Sequence, residues 1–437
     1  MDLHRYARLT TERTCGRTVL GALALLLVVT SCRSREVDCE GAYCEEIARV
    51  VPLIEKSVGL EFKQPPRVEE RTTVQVRDFV LAQLREPRAV RELAGIEAAY
   101  KRFGLLPDTL ALREFLLSLL EEQIVGYYDP ATKVLYVVEG AQRDIANLTL
   151  THELVHALQD QYVDLRAFQR AEGENDSQSA AQAVFEGQAV FEQLAVMLGG
   201  GNVAVNLPGG WDRVREQIRE SQASMPIFSG APLVIQETLI FPYLSGAEFV
   251  RNFKARRPGE SPLDDLPVST EQVLHPSAFF GTRDNPTRVQ LAVRGQLAVR
   301  GQLLYENTLG EFETRILLFE YTGNQNDAVR GANGWDGDRY ALVRTPRGDA
   351  LVWVTVWDTP YDAGEFRDLM QQGLERRYEV GGEGEATLRT FAAPGRTLQL
   401  STAESGGRPL VIFVDAPAGV SPALVDVAAL RLEEVSP

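Results

Sequence analysis

The chain has 437 residues, of which 44% are hydrophobic and 24% are charged, and these proportions are ordinary for a soluble globular protein. Its 61 acidic residues outnumber its 45 lysines and arginines, which gives a formal net charge of −16. This excess of negative charge argues against binding of nucleic acid, which requires clustered basic residues, and against a broad electrostatic attachment to anionic lipid.

The first 31 residues resemble the export signal of a bacterial lipoprotein. A stretch with four arginines precedes the apolar run Val19–Val29, which is too short to cross a membrane as a helix. The run ends before Ser31-Cys32, and this junction is similar to a lipobox, in which the cysteine becomes the lipidated first residue. A plain secretory signal is the alternative. We expect cleavage before Cys32 and a lipid anchor in the cell envelope, with the outer membrane or periplasmic face favoured.

The remaining cysteines agree with export. Cys15 would leave with the signal, so Cys39 and Cys44 are the thiols that follow Cys32. Two thiols so close in sequence, in an oxidising compartment, predict a small disulfide loop. We assign residues 32–44 to a tether between the lipid and the folded protein.

Apolar periodicity predicts a mainly helical region after the tether, interrupted by β-structure. Two β-rich runs flank Asp129-Pro130 and predict a hairpin within Gly126–Val138. The segments predicted before this hairpin are a helix at Glu45–Gly59, an extended stretch at Arg67–Thr73, one or two helices within Val76–Phe103, and a helix at Asp108–Gln123.

The segment from His152 to His156 contains an HExxH motif and uses two of the four histidines in the chain. On a helix, positions i and i+4 share one face, so His152 and His156 can direct both imidazoles to one point. Zinc is the usual occupant of such a pair, and Glu153 is placed to take a proton from a metal-bound water. Two solvated histidines on an amphipathic helix are the alternative, and the strongly apolar residues around the motif argue against it.

A catalytic zinc normally has three protein ligands and one open position. The next histidine, His275, follows too late in the chain, so we expect a carboxylate from the predicted helix Ser177–Leu198 as the third ligand. Glu186 is favoured because small neighbours such as Gly187 would let this helix approach the first closely. Glu192, nearer the end of the helix, remains the alternative.

These motifs together resemble those of the gluzincin metallopeptidases, the thermolysin-like group with an HExxH helix and a glutamate on a second helix. The resemblance covers about residues 125–198. It implies that His152, His156 and Glu186 bind zinc and that Glu153 is the general base. The chain departs from thermolysin itself in the longer spacing between its motifs and at Val190, where thermolysin has an aspartate. Its Glu-Gly-x-Ala segment is similar to that of poorly characterised bacterial and archaeal zincins.

The same resemblance implies three further features. Asp160, four residues after the second histidine, would orient a ligand imidazole, with an ordinary surface aspartate as the alternative. The run Lys133–Val138 would be an edge strand that receives the substrate as an added strand, or else an ordinary strand. His275 would donate a hydrogen bond to the developing oxyanion, with Tyr243 as a weaker candidate for that role.

The region from residue 199 to 290 is predicted to complete the cleft, with helices at Trp211–Ser221 and within Pro226–Phe253. A tandem Leu-Ala-Val-Arg-Gly-Gln at 291–302 is too short for a solenoid repeat. Beyond it, alternating patterns predict an α+β module. Around Trp335, a tight turn with a buried indole is favoured over a calcium loop, because too few ligands stand at workable spacing.

The sequence therefore predicts an α+β protein: a lipoprotein signal peptide at 1–31, a tether at 32–44, a mainly helical zincin-like core with a small edge-stranded sheet at 45–290, and a C-terminal α+β module at 291–437. We expect a zinc-dependent peptidase that hydrolyses peptide or protein substrates in the cell envelope. The oligomeric state is left open. A catalytically silent zinc-binding envelope lipoprotein, serving as a scaffold or peptide-binding factor, is the main alternative. A non-peptidase hydrolase of the peptide deformylase kind is disfavoured, because those enzymes use a cysteine ligand.

Overall fold

The structure, a computed structural model, describes residues 43–168, 173–206, 210–293 and 303–435. The predicted signal peptide, the lipidation site Cys32 and most of the tandem copy lie outside these ranges. Cys44 is disulfide-bonded, but Cys39 also lies outside them, so the Cys39–Cys44 pairing stays a prediction. Within the described ranges, no helix combines the length and apolarity needed to cross a bilayer.

The first part of the fold is mainly helical, with a small sheet inserted before the HExxH helix. Thr72 and Gln75 form a reciprocal capping box at the start of α2, and Pro87 begins α3 after the single residue Glu86 that follows α2. The elements of this part are α1 (Cys44–Val58), β1 (Arg67–Arg71), α2 (Thr73–Arg85), α3 (Pro87–Phe103), α4 (Leu112–Gln123), β2 (Gly126–Asp129), β3 (Val134–Val138), α5 (Arg143–Gln159), α6 (Leu165–Phe168), α7 (Asn175–Leu198), α8 (Gly201–Val205), α9 (Gly210–Ala223), α10 (Pro226–Ser229), α11 (Leu233–Arg256), α12 (Thr270–Leu274) and α13 (Pro276–Phe280).

The small sheet has the strand order β1-β3-β2. β3 pairs in parallel with β1 and in antiparallel with β2, so the predicted hairpin is present. The expectation that Lys133–Val138 forms an edge strand is wrong, because β1 covers its second side. β1 and β2 are the two edge strands of this sheet.

The second part of the fold is built on a seven-stranded antiparallel sheet with the order β5-β6-β7-β11-β10-β9-β8. A separate two-stranded ladder joins β12 to β4. The elements are β4 (Thr287–Gln290), β5 (Leu303–Asn307), α14 (Gly310–Thr322), α15 (Gln325–Ala332), β6 (Trp335–Thr345), β7 (Gly348–Trp357), α16 (Pro360–Tyr378), β8 (Glu383–Glu385), β9 (Leu388–Ala393), β10 (Arg396–Ser405), β11 (Arg408–Pro417) and β12 (Arg431–Glu434).

The largest apolar core is shared by the two parts. The ring of Phe103, at the end of α3, packs edge-on against Tyr340 and Trp353 of the large sheet at centroid distances of 5.4 and 5.1 Å. Leu317 of α14 belongs to the same buried cluster. The α+β class is confirmed, with helices and sheets contributing to one core. The domain boundary at residue 290 stays a prediction.

Candidate metal centre

The HExxH helix is α5, and burial fixes its orientation. Leu150, Leu154 and Leu158 are fully buried on the side that packs against α1 and β3. This packing leaves His152 and His156 on a face directed to α7. Their Nε2 atoms lie 3.2 Å apart, and the two imidazole planes are inclined by 82°. The predicted convergence of the two imidazoles is present.

Glu186, on α7, completes the group. Its Oε2 lies 3.1 Å from His152 Nε2 and 3.3 Å from His156 Nε2. The other candidate, Glu192, is fully buried elsewhere on α7 and forms an ion pair with Lys254 Nζ at 2.6 Å. The geometry therefore selects Glu186 of the two glutamates.

The three donor atoms fit a zinc ion. A tetrahedral zinc with ligand atoms at about 2.0–2.1 Å separates those atoms by about 3.3 Å, and the three observed distances lie close to that value. Imidazole nitrogen and carboxylate oxygen are also the ligands that zinc takes in hydrolases. The ligand triangle faces a cleft of about 390 Å³, lined also by Tyr128, Gln182 and Tyr243, so a fourth position is open to solvent.

The electrostatics of the centre favour positive charge. Burial alone would lower the pKa of His156, but the Glu186 carboxylate, together with Glu153 and Gln159, outweighs burial and raises that pKa to about 9. Burial alone would raise the pKa of Glu186, but His156 and then His152 outweigh it and hold that pKa below its usual value. The Glu186 carboxylate stabilises a proton on the imidazole of His156. A cation bound by the three side chains would take the place of that proton.

The crossing of α7 with α11 positions Glu186. A Cβ atom on Gly187 would lie 2.1 Å from the backbone carbon of Gly246, and one on Gly246 would lie 2.0 Å from the carbonyl oxygen of Ala183. The two backbones are thus in direct contact. The small residue Gly187 was expected to face the HExxH helix, and this is corrected: it faces α11. The reason is that Glu186, its neighbour, occupies the side directed to α5.

Glu153 is held beside the ligands by the small sheet. Its Oε2 accepts a hydrogen bond from the backbone N–H of Tyr128, in β2, at 2.8 Å. Burial raises the pKa of Glu153, and the two neighbouring histidines oppose that rise. Glu153 also lines the cleft. It can therefore reach a water molecule placed at the open position of the centre.

Gln159 orients His156, a role that the sequence assigned to Asp160. Nδ1 of His156 lies 2.9 Å from Gln159 Oε1. The amide nitrogen of Gln159 donates to the carbonyl of Phe185 and to Gln188 Oε1, both at 3.0 Å, so its oxygen must face the imidazole. This arrangement places the proton of the neutral ring on Nδ1 and leaves Nε2 free for a metal. In the sequence, the signal that could have indicated Gln159 is its i, i+3 spacing from His156 on an apolar helix.

Asp160 contacts the hairpin and not a ligand imidazole. Its Oδ2 accepts hydrogen bonds from the hydroxyl of Tyr128, at 2.7 Å, and from the ammonium of Lys133. Asp160 directly follows α5 as its C-cap residue. It therefore links α5 to the strand that holds Glu153.

Tyr243, and not His275, lies at the centre. The ring of Tyr243, on α11, stacks on His152 at 5.9 Å, and its hydroxyl is hydrogen-bonded to Glu186. The charge of Glu186, and then burial, raise the pKa of Tyr243 well above its ordinary value. Nε2 of His275 lies instead 2.9 Å from both Glu311 Oε1 and Arg315 Nη2, on α14. His275 thus pairs with the buried Glu311 carboxylate and does not line the cleft, so its predicted role as oxyanion donor is corrected.

Comparison with known proteins bears on a different part of the chain. The family described as "Domain of unknown function (DUF8575)" matches residues 300–418. The matched segment contains the seven-stranded sheet with α14, α15 and α16, and none of the residues of the metal centre. Comparisons with curated proteins and with solved structures give no match.

Proposed function

We propose that this protein is a zinc-dependent peptidase of the cell envelope, which hydrolyses peptide bonds with Glu153 as the general base. One observation carries the proposal: His152 Nε2, His156 Nε2 and Glu186 Oε2 form a triangle with sides of 3.1, 3.2 and 3.3 Å that opens on a cleft beside Glu153. The envelope location depends on the export signal and the lipidation of Cys32, which remain predictions from the sequence.

Each residue around the triangle has a separate role in the proposed reaction. A zinc ion held by the two histidines and Glu186 would supply Lewis-acid activation of a water molecule and of the scissile carbonyl. Glu153 accepts the proton of the attacking water and later delivers it to the leaving amine. The hydroxyl of Tyr243 donates a hydrogen bond to the oxygen on which negative charge develops. Gln159 keeps Nε2 of His156 unprotonated.

The free edge of β2 supports an extended peptide as the substrate. The N–H of Tyr128 points away from β3, toward Glu153. Because alternate residues of a strand direct their backbone groups to opposite sides, the backbone groups of Gly126 point to that same side. Both residues line the cleft. A substrate strand paired along this edge would lie beside the general base, bound by backbone contacts that impose little sequence preference.

A matched pair of glutamate variants tests the ligand assignment. Glu186→Gln is expected to lose stoichiometric zinc, because an amide replaces a charged ligand in contact with both imidazoles. Glu192→Gln removes a carboxylate from the same helix and should keep zinc, even though loss of the Lys254 ion pair lowers its stability. Metal content of the purified full chain, measured by mass spectrometry, checks both. Equal zinc content in the two variants would contradict the assignment.

The peptidase itself is tested by cleavage of a casein-like protein, with and without a zinc chelator. Cleavage by the wild-type protein that the chelator abolishes and added zinc restores is the expected result. A zinc-binding scaffold would contain the metal and show no chelator-sensitive cleavage. The Glu186→Gln protein should behave as the chelated wild type does.

Tyr243→Phe is expected to lower kcat by about 100-fold with a much smaller effect on KM, because the lost hydroxyl acts on charge that develops in the transition state. Tyr127→Phe is the matched control. Tyr127 also lines the cleft, but its hydroxyl is hydrogen-bonded to Arg71. Steady-state kinetics on one peptide substrate compare the two variants. A kcat for Tyr243→Phe equal to that of Tyr127→Phe would exclude the oxyanion role.

A further inference from the structure

A second group of carboxylates shares no residue with the zinc centre. Glu271 of α12, Asp284 of the loop before β4, and Asp358 directly after β7 each place one carboxylate oxygen within 4.8 Å of the others. Glu271 is only 6% exposed, whereas Asp284 and Asp358 are exposed. The group is therefore a shallow site with a buried carboxylate at its base and two carboxylates at its solvent-facing mouth.

Glu271 has no counter-charge. Among the described residues, its carboxylate has neither a hydrogen bond nor an ion pair, although it is directed at the other two carboxylates. Of the nearby cationic side chains, Arg315 pairs with Glu311. Arg408 pairs with Asp336 and also acts on Asp358, where it opposes part of the rise in pKa. Ionising a carboxyl group at so buried a position without a partner is strongly unfavourable, so an ionised Glu271 would require added positive charge at this point.

The backbone holds the three carboxylates in place. Ser269 caps α12 by accepting a hydrogen bond from the N–H of Gln272 at 3.2 Å, and the Gln272 side chain donates to the carbonyl of Asp284. The N–H of Asp284 donates to the carbonyl of Ala278 at 2.9 Å. The N–H of Asp358 donates to the carbonyl of Gly334, also at 2.9 Å. These hydrogen bonds fix the backbone positions from which the three carboxylates project.

The raised pKa values of Glu271 and Asp358 also indicate a lack of positive charge at this group of carboxylates. Burial, followed by the neighbouring carboxylates of Glu311, Asp284, Asp358 and Asp176, raises the pKa of Glu271 to about 10. Burial, and then Asp284, raises the pKa of Asp358 to about 6. The three groups repel one another when ionised. A cation between them would remove this repulsion and allow all three to ionise at neutral pH.

We propose that Glu271, Asp284 and Asp358 bind a calcium ion that ties the seven-stranded sheet to the helical part of the fold. The ligands are all carboxylate oxygens, without a histidine or cysteine, and this set suits a hard divalent cation. Calcium takes six to eight oxygens in flexible geometry, so three carboxylates and solvent can complete its shell at an exposed mouth. Asp358 comes from the sheet, while Glu271 and Asp284 come from the segment after α11. The site is independent of the proposed peptidase activity.

Terbium luminescence tests the site on the zinc-loaded full chain. Terbium substitutes for calcium, and Trp357, the fully buried neighbour of Asp358, can sensitise its emission. We expect saturable emission on excitation of tryptophan, displaced by calcium. The double variant Asp284→Asn/Asp358→Asn should bind calcium at least about 10-fold more weakly, because affinity depends on the number of charged ligands. The control Glu383→Gln/Glu385→Gln removes two exposed charges from the same sheet and should bind normally.

Thermal unfolding gives a second measurement that does not depend on terbium. Calcium should raise the Tm of the wild type and of Glu186→Gln, and should leave the Tm of Asp284→Asn/Asp358→Asn unchanged. The single variant Asp284→Asn, at an exposed loop position, serves if the double variant fails to fold. Emission that calcium cannot displace, or equal calcium affinity in wild type and variants, overturns the site. Displacement by magnesium at the same concentration as calcium overturns the calcium assignment.

Discussion

Replacement of Glu153 by glutamine is expected to lower peptide hydrolysis by about 1000-fold and to leave zinc bound, because proton transfer by a positioned carboxylate contributes about 10²- to 10⁴-fold. The carboxylate of Glu153 is adjacent to the ligand triangle but is not part of it. Its contact with the N–H of Tyr128 is preserved, because a glutamine side-chain oxygen also accepts a hydrogen bond. The substitution therefore removes the base while keeping the shape of the cleft.

The matched control for this substitution is Glu139→Gln, which makes the same chemical change at an exposed position just beyond β3. Both variants should contain stoichiometric zinc and unfold within about 2 °C of the wild-type temperature, because glutamine has nearly the size and shape of glutamate. Rates on a casein-like substrate then separate them. If Glu153→Gln cleaved as fast as Glu139→Gln, the base would have to be another group. If the zinc site were only structural, neither substitution would change the rate of cleavage.

The parts of this centre that the sequence revealed are those defined by local spacing. The i, i+4 relation of His152 and His156 is enough to align two imidazoles once a helix forms, and the apolar residues around the motif ensure that it does. The predicted helix Ser177–Leu198 offers two glutamates, and the sequence favours Glu186 because of the small Gly187, which in the structure faces α11 instead. The predicted helix Ser177–Leu198 differs from α7 only at its start.

The parts that the sequence did not reveal depend on contacts between distant segments. β3 becomes a central strand because β1, which precedes it by several helices, pairs with it in parallel, and nothing within the hairpin signals that pairing. The choice between Tyr243 and His275 depends on how α11 and α14 pack, since both residues are far from the motif along the chain. Gln159 and Asp160 are adjacent in sequence, and only the end of α5 decides which one faces His156.

The substitution Gly246→Ala is expected to disrupt the centre although residue 246 contacts neither metal nor substrate. The added methyl carbon would lie 2.0 Å from the carbonyl oxygen of Ala183, which is backbone and cannot rotate away. The helices α7 and α11 must then separate or tilt. Forcing atoms into a close-packed contact typically costs about 1–3 kcal/mol or more, so we expect the free energy of unfolding to fall by at least that amount.

The same displacement should reach the proposed zinc centre through two side chains. α7 carries Glu186 one residue before Gly187, and α11 carries Tyr243 one turn before Gly246. A shift between the helices of about 1 Å would move both against the two histidines on α5, and displacements of that size can cost about 100-fold in rate. Zinc affinity is therefore expected to fall together with kcat, whereas Tyr243→Phe should lower kcat alone.

Gly364→Ala is the control that separates this contact from the general effect of adding a methyl group to a helix. Gly364 lies inside α16, and no atom lies within 4 Å of the position that its Cβ would take. Alanine there should stabilise the helix by about 0.5–1 kcal/mol. Chemical unfolding should therefore show stability changes of opposite sign in the two variants. Zinc titration should show a change in metal affinity for Gly246→Ala only. Wild-type stability and zinc affinity in Gly246→Ala would show that the crossing of α7 and α11 does not position the ligands.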